Sequence, residues 1–462
     1  MKEVKNPAKK ELTELKHHTR RLSIKEGMFW SGRASFGDYY LAPFAIFMEA
    51  SSSIVAILSS LWSLSFASQI LGSKFVGKIK RKTILKRVIA VEALAFLMIL
   101  GIAILYYNNI LVQTLPIFLL FALAVLVFAG GIGYPSWFSL MGDLVDSKFL
   151  GRWFSKRTTI ISFTTIVLTF IAAFILEEFK KTEKPIIGFI ILFALAFLAR
   201  IYCVKLISQH YEPKFKIKKE KKYSLKKLIL ESRKSNFGRF ILFRGIFAFS
   251  VGLTGPLVAV YLLRTLQFDY LTYIAIVMSG TFFSIITLNL WGKISDKYGN
   301  FRVIALTTMF IPLTPLLWAL SPSKIYLLLV PAIVGGTSWS AFLMASRNFI
   351  YDNVSKEKRG KAISYFNLLL GIGAFIGGLV GALLIQVIQT TWIEPIILIF
   401  LIGSLARMIV AGIWVPRLKE VKKKKKFRNL EELERTIFKE AKPTIVEDIH
   451  EIVSIPNYLN EK

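Results

Sequence analysis

Apolar residues along this chain gather into runs of about 20, the length a helix needs to cross the hydrocarbon core of a bilayer. Short polar turns separate them. Twelve runs stand out: 28–48, 52–72, 84–107, 113–136, 158–176 and 186–206, then 240–263, 271–291, 302–320, 325–345, 362–386 and 393–415. The pattern predicts an all-α membrane protein with twelve transmembrane helices. The first run is too long for a signal-peptide core and has no small-residue cleavage site, so the first span is expected to be retained. Ser23 and Glu26 have capping-box spacing and predict the start of that helix. Composition agrees, with 54% hydrophobic residues and 38 Phe in 462 positions, where a soluble chain would carry more charge.

A polar stretch divides six spans from six. The expected organisation is an N-terminal segment 1–27, a bundle 28–206, a basic linker 207–238, a second bundle 239–415 and a polybasic tail 416–462. Short amphipathic helices are expected near 224–233 in the linker and over "NLEELERTIFKEA" (429–441) in the tail. The two halves correspond to each other. Asp143 followed by Gly151-Arg152 matches Asp352 followed by Gly360-Lys361, 209 positions on. "FLAR" ending at Arg200 matches "SLAR" ending at Arg407, and Pro43 pairs with Pro256. The shared order and orientation argue for a parallel repeat of two six-helix bundles.

A net charge of +31 first suggests a nucleic-acid partner, but its distribution does not. The N-terminal segment, the even-numbered turns, the linker and the tail hold 51 of the 60 Lys and Arg, and the opposite turns hold five. The other four, Arg33, Arg200, Arg244 and Arg407, lie deeper in spans. The positive-inside rule therefore puts both termini on the cytoplasmic side of the cell membrane. The basic turns and tail are expected to attract anionic lipid head groups. No nucleic-acid role is expected, and a monomer is. Cys203 is the sole cysteine, so no intramolecular disulfide forms. His17, His18, His210 and His450 all fall in polar segments, and neither an HExxH pattern nor a phosphate-binding loop occurs. Neither metal, cofactor nor enzymatic activity is expected.

The stretch "GKISDKYGNFR" (292–302), between spans 8 and 9, has the form G-x-x-x-D-x-x-G-x-x-[RK] through Gly292, Asp296, Gly299 and Arg302. A first-half copy, "GSKFVGKIKRK" (72–82), keeps Gly72 and the cations but lacks the acid. In this motif, the six-plus-six spans and the long central loop, the chain resembles the major facilitator superfamily of secondary transporters across its transmembrane portion. The resemblance implies two bundles alternating around a midplane site, with helices 1, 4, 7 and 10 lining a central cavity. It also implies that the motif loop latches the bundles in one state. The expected partners of Asp296 are Arg347, at the end of span 10, and the positive N-terminal end of span 5. The first-half equivalent of Arg347 is Phe138, so that half lacks both acid and cation.

Charges inside spans are costly and call for a reason. Asp38 lies mid-span on a small-residue face with Ser31, Ala34 and Ser35, whereas Arg33 is expected on a different, aromatic face. Asp38 reads either as a substrate or proton-coupling group or as a structural ion pair. Arg33 and Arg244 read as snorkelling cations or as cavity residues. Glu92 reads mainly as a structural partner, and Arg200 and Arg407 as matched structural residues. Trp137 and Trp339 are aromatic candidates for a binding site, with core packing as the alternative. Gly373, Gly377 and Gly381 form a stripe suited to close helix packing.

Two functions are compatible with this pattern. One is a secondary active transporter of a small solute, proton-coupled if Asp38 titrates, whose substrate is left open between drug or metabolite efflux and sugar or organic-ion uptake. The other is a non-transporting sensor or lipid-handling protein on the same fold.

Overall fold

The computed structural model describes residues 7–146, 150–213, 235–355, 358–422 and 439. The amphipathic helices expected in the linker and tail lie outside these residues, Lys439 apart. Eleven described helices are long and apolar enough to cross a membrane. The remaining expected span, 28–48, is interrupted. It is the end of a long helix α1 (Pro7–Phe36), a 3-10 turn Asp38–Tyr40 and a short helix α2 (Leu41–Phe47). Helix α1 begins well before Ser23, so the expected capping box is not one. Ser23 and Glu26 lie mid-helix and are buried. Large apolar side chains such as Phe121, Leu198 and Phe282 stay more than half exposed along their spans, as a lipid-facing surface requires.

The described residues pack as two compact units. Unit 1 takes the chain up to Glu49 and from Leu64 to the linker; unit 2 takes Ala50–Ser63 and the chain beyond the linker. Unit 1 holds α1, α2, then α4 (Leu64–Phe75), α5 (Arg81–Tyr107), α6 (Leu115–Leu144), α7 (Leu150–Lys181) and α8 (Pro185–Ser208). Unit 2 holds α3 (Ser52–Leu61), α9 (Asn236–Gly252), α10 (Tyr270–Tyr298), α11 (Asn300–Phe310), α12 (Leu313–Leu320), α13 (Lys324–Asn353), α14 (Arg359–Val387) and α15 (Pro395–Trp414). The second span is thus divided at Trp62-Ser63. Its first half packs inside unit 2, where Ser53 Oγ donates to Ala382 O of α14 (2.8 Å).

Within unit 2, α9 and α14 approach closely because Gly373, Gly377 and Gly381 lie against the carbonyls of Gly245, Phe249 and Leu253, leaving no room for a Cβ. Phe240, Phe243 and Phe247 of α9 meet Phe342 and Phe349 of α13 to form the aromatic centre of this unit. After α9 the chain passes through a 3-10 turn over Gly255–Leu257 and a π turn over Tyr261–Thr265. Pro256 and Pro43 therefore both sit where the first span of their half is broken.

The two units close one end in the same way. In unit 1, Glu212 lies just beyond α8 and caps the start of α5, accepting from the N–H of Arg81 (2.7 Å) and of Lys82 (3.4 Å). Buried Arg81 then reaches Asp143 in the last turn of α6 (Nη1–Oδ2 2.5 Å). In unit 2, Glu420 lies just beyond α15 and accepts from the N–H of Phe301 at the start of α11 (3.0 Å). Asn300 reaches Asp352 at the end of α13 (2.6 Å), which also pairs with Lys422 (2.7 Å). An acid after the last helix caps the third span, and the first residue of that span binds an acid closing the fourth. Both connecting loops also carry a left-handed glycine, Gly77 (φ 87°) and Gly299 (φ 99°).

These clasps can be tested at two points. Gly299 carries a backbone conformation closed to other residues, with Glu420 filling the place of its Cβ. Gly299→Ala is therefore expected to lower stability by about 1–3 kcal/mol. Nothing crowds Gly292 in its helix, so Gly292→Ala should be neutral or stabilising by up to about 1 kcal/mol; thermal unfolding in detergent compares the two. His210, beside Glu212, is buried, with Nδ1 against Leu206 O (2.9 Å) and Nε2 unpartnered. Burial lowers its pKa below the usual histidine value. The unfolded chain then takes up this proton at higher pH than the folded one, so stability should fall as pH drops through and below about 6.5. The pH dependence of the apparent Tm should lose that component in His210→Gln.

Candidate functional site

Six charged side chains meet inside unit 1. Helix α1 contributes Glu26 and Arg33, seven residues apart and so nearly on one helical face. Asp38 follows the break, α5 brings Glu92, α7 brings Arg157 and α8 brings Arg200. On an unbroken helix Asp38 would point well away from Arg33, as the alternation of faces suggested. The chain instead leaves the α-helical path at Gly37 (φ −115°, ψ −77°) and enters a 3-10 turn. That turn returns the carboxylate onto the guanidinium, with Arg33 Nη2 to Asp38 Oδ2 at 2.5 Å. The expectation of separate faces is therefore corrected. Gly37 lies against the Phe96 ring, where any Cβ would collide.

The small face predicted around Asp38 does the packing through Ser31 and Ser35, joined by Tyr40 from the aromatic face. Ser31 Oγ donates to Ile161 O (3.0 Å), Ser35 Oγ to Thr165 O (3.0 Å) and Tyr40 OH to Thr169 O (2.6 Å), which fastens the broken span to α7.

The charges form a row of alternating sign: Arg157, Glu26, Arg200, Glu92, Arg33, Asp38. Successive ion-pair distances are 3.3 Å from Arg157 to Glu26 and 3.7 Å from Arg200 to Glu26. Arg200 Nε donates to Glu92 at 2.6 Å, and its Nη2 meets the same oxygen. Arg33 Nη1 then stands 3.9 Å from Glu92, before the close contact with Asp38. With all six ionised, the row is neutral. Its two loose links flank the tight Arg200–Glu92 pair. Asp38, at one end, has a side chain 15% exposed and an Oδ1 with no hydrogen-bond partner. At the other end, Arg157 stacks 4.4 Å from the Trp137 ring. Arg33 is also flanked by the Trp30 and Phe96 rings.

Unit 2 has the arginines without the acids. Arg407 of α15 binds the hydroxyls of Thr314 and Thr254 and the carbonyl of Val251. Thr314 occupies the role that Glu92 has for Arg200. Arg244 of α9 is buried with its guanidinium 4.2 Å from the Phe342 ring. Trp339 packs against Phe342 and Phe247 at the edge of this aromatic core.

The model of the Major Facilitator Superfamily matches residues 31–340 and 240–446. The chain belongs to the Major Facilitator Superfamily. Among other members, it is 27% identical over 261 residues (55% of this chain) to the multi-drug resistance efflux pump PmrA of Streptococcus pneumoniae. It is 26% identical over 169 residues (35% of this chain) to the proton-coupled antiporter flippase LtaA of Staphylococcus saprophyticus. The chain spans 61% and 42% of the lengths of these relatives. A mutant of the nucleoside transporter NupG shares its fold, with a TM-score of 0.67 at 17% identity over 88% of this chain and all of that one.

The superfamily's loop motif spans the junction of α10 and α11. Gly292 lies in α10, Asp296 is exposed near its end, and Gly299 makes the turn into α11. Arg302 Nη1 donates to Tyr298 O (2.5 Å). The structure does not bring Arg347 to Asp296. Arg347 is exposed and makes no ion pair among the described residues, and the charge beside it is Arg244. The acid on α13 that engages the loop is Asp352, five residues on and so on another face of the helix. Glu26 and Arg157 escaped the sequence reading because one looked like a helix cap and the other like a topology-setting cation. The seven-residue spacing of Glu26 and Arg33 was the available signal.

Removing one member of a buried pair strands its partner. Arg200→Met is expected to lower stability by about 3–5 kcal/mol. The double variant Glu92→Met/Arg200→Met should recover most of that loss, a coupling that thermal unfolding of both single variants and the double variant measures.

Proposed function

We propose that this chain is a secondary active transporter that moves a small solute across the cell membrane by alternating access, with proton exchange at Asp38. The observation that carries the proposal is the alternating row ending on a carboxylate with a free oxygen. A proton arriving at Asp38 Oδ1 cancels the charge that holds Arg33. Arg33 then turns to Glu92, now 3.9 Å away, which weakens the claim of Arg200 on the same carboxylate. One protonation at the broken turn is thereby felt at α5, α7 and α8. Superfamily membership supports this reading, and so does the proton coupling named for LtaA. The relatives differ in what they are named for, multi-drug efflux in one and a flippase in the other, so no substrate is carried over.

In this proposal both termini are cytoplasmic, on the strength of the 51 of 60 cations on one side. Those cations bind anionic head groups, and the working unit is a monomer. The loop Gly292–Arg302 is the conformational latch. A latch between Asp296 and Arg347 needs a state other than the one described, in which the two are apart.

The test is solute-driven proton movement in proteoliposomes containing a pH-sensitive dye, over a panel of drugs, sugars, nucleosides and organic ions. At least one solute should move protons through the wild type. Asp38→Asn should abolish gradient-driven accumulation of that solute while retaining its exchange between equal pools. Accumulation that survives in Asp38→Asn removes Asp38 from coupling. No flux of any solute favours the sensor or lipid-handling alternative.

A further inference from the structure

Most arginines that lie deep within the spans have partners made for them. Arg33, Arg157 and Arg200 face carboxylates, and Arg407 has two hydroxyls and a carbonyl. Arg244 has none. It is 3% exposed, makes no hydrogen bond or ion pair among the described residues, and its buried Nε is unpartnered. The rings of Phe342 (4.2 Å) and Phe366 (5.6 Å) take the faces of the guanidinium. Ring faces stabilise the charge but accept none of its five N–H donors. The charge that reaches Arg244 is Arg347, of like sign, exposed and itself without an ion-pair partner among the described residues. A desolvated cation beside a second cation is costly unless an anion completes it.

We infer that Arg244 and Arg347 form a binding site for the oxyanion of an amphipathic organic anion, a carboxylate, sulfonate or phosphate ester. The planar fork of Arg244 donates to two oxygens of such a group, Arg347 adds a second cation, and the apolar body lies against Trp339, the partly buried ring at the edge of this aromatic core. The inference rests on the transport reading for its role, since it names the class of solute moved; the site itself does not require flux. An anionic lipid and a free organic acid present the same group.

The test uses the full chain purified in a neutral detergent, with 2-naphthalenesulfonate as probe and its trimethylammonium counterpart, of the same apolar body, as control. The sulfonate should raise the apparent Tm saturably and the ammonium should not. Arg244→Gln should weaken the sulfonate's effect about tenfold or more, and Arg347→Gln should weaken it less. Arg244→Met, which fills the space without charge, should match or exceed the wild-type Tm without ligand, because an unpaired buried charge is gone. Equal shifts from both probes, an undiminished shift in Arg244→Gln, or a lower ligand-free Tm in Arg244→Met each overturn the inference. Repeating the titration in phosphatidylcholine nanodiscs with and without phosphatidate separates the sources. Competition by phosphatidate assigns a lipid head group, and sulfonate binding unaffected by it assigns a free solute. Sulfonate binding without any solute flux would sink the transport reading and leave the site standing, whereas flux of a cation with no sulfonate binding would sink only this site.

Discussion

An ionised side chain out of water must be met by something of opposite sign or by well-aimed dipoles, and much of this protein is arranged around that requirement. Unit 1 meets it with charges, six in a row, each flanked by its opposite. Unit 2 meets it with neutral groups for Arg407 and with aromatic faces for Arg244. The two halves share a scaffold, yet their interiors differ in electrical character. One is self-compensated, and the other carries an excess of positive charge.

The break at Gly37 links local backbone to this electrostatics. A continuous helix would have turned Asp38 away from Arg33, and each would have needed another partner. The glycine permits the 3-10 turn, the Phe96 ring excludes a side chain there, and the hydroxyls of Ser31, Ser35 and Tyr40 hold the interrupted span on α7. Sequence, turn geometry and charge pairing thus depend on one another over a dozen residues.

Much of the fold is legible in the amino-acid pattern alone. Runs of apolar residues gave the spans, and the paired landmarks Asp143/Asp352, Arg200/Arg407 and Pro43/Pro256 gave the repeat. The landmarks proved to mark working parts: an acid closing a clasp, an arginine anchored on the third span, a broken first span. The site was less legible, for physical reasons. Periodicity assumes an unbroken helix, so it separated Arg33 from Asp38. Glu26 is ambiguous at short range, because Ser-x-x-Glu fits a helix start as well as a helix interior. Arg157 was hidden by the topological bias of its turn. Asp296 and Arg347 were joined through the family resemblance and their joint absence from the first half, whereas the loop's bonds to the end of α13 and to the chain beyond α15 run through Asn300 and Glu420, which no charge pattern singled out.

The division of the second span has a consequence for how the chain is made. Ser53 bonds a carbonyl 329 positions later. At about 5–20 residues per second of synthesis, Ser53 exists for about 15–65 s before its acceptor does. The first hydrogen-bond partner of the segment Ser52–Leu61 from another span is Arg264, which donates to Ser52 Oγ (2.9 Å) from 212 positions on, while α4, directly after the segment, can already settle against α6. The bend at Trp62-Ser63 lets the two halves of one span keep separate schedules, and lipid or the insertion machinery must shelter the earlier half until the first span beyond the linker arrives.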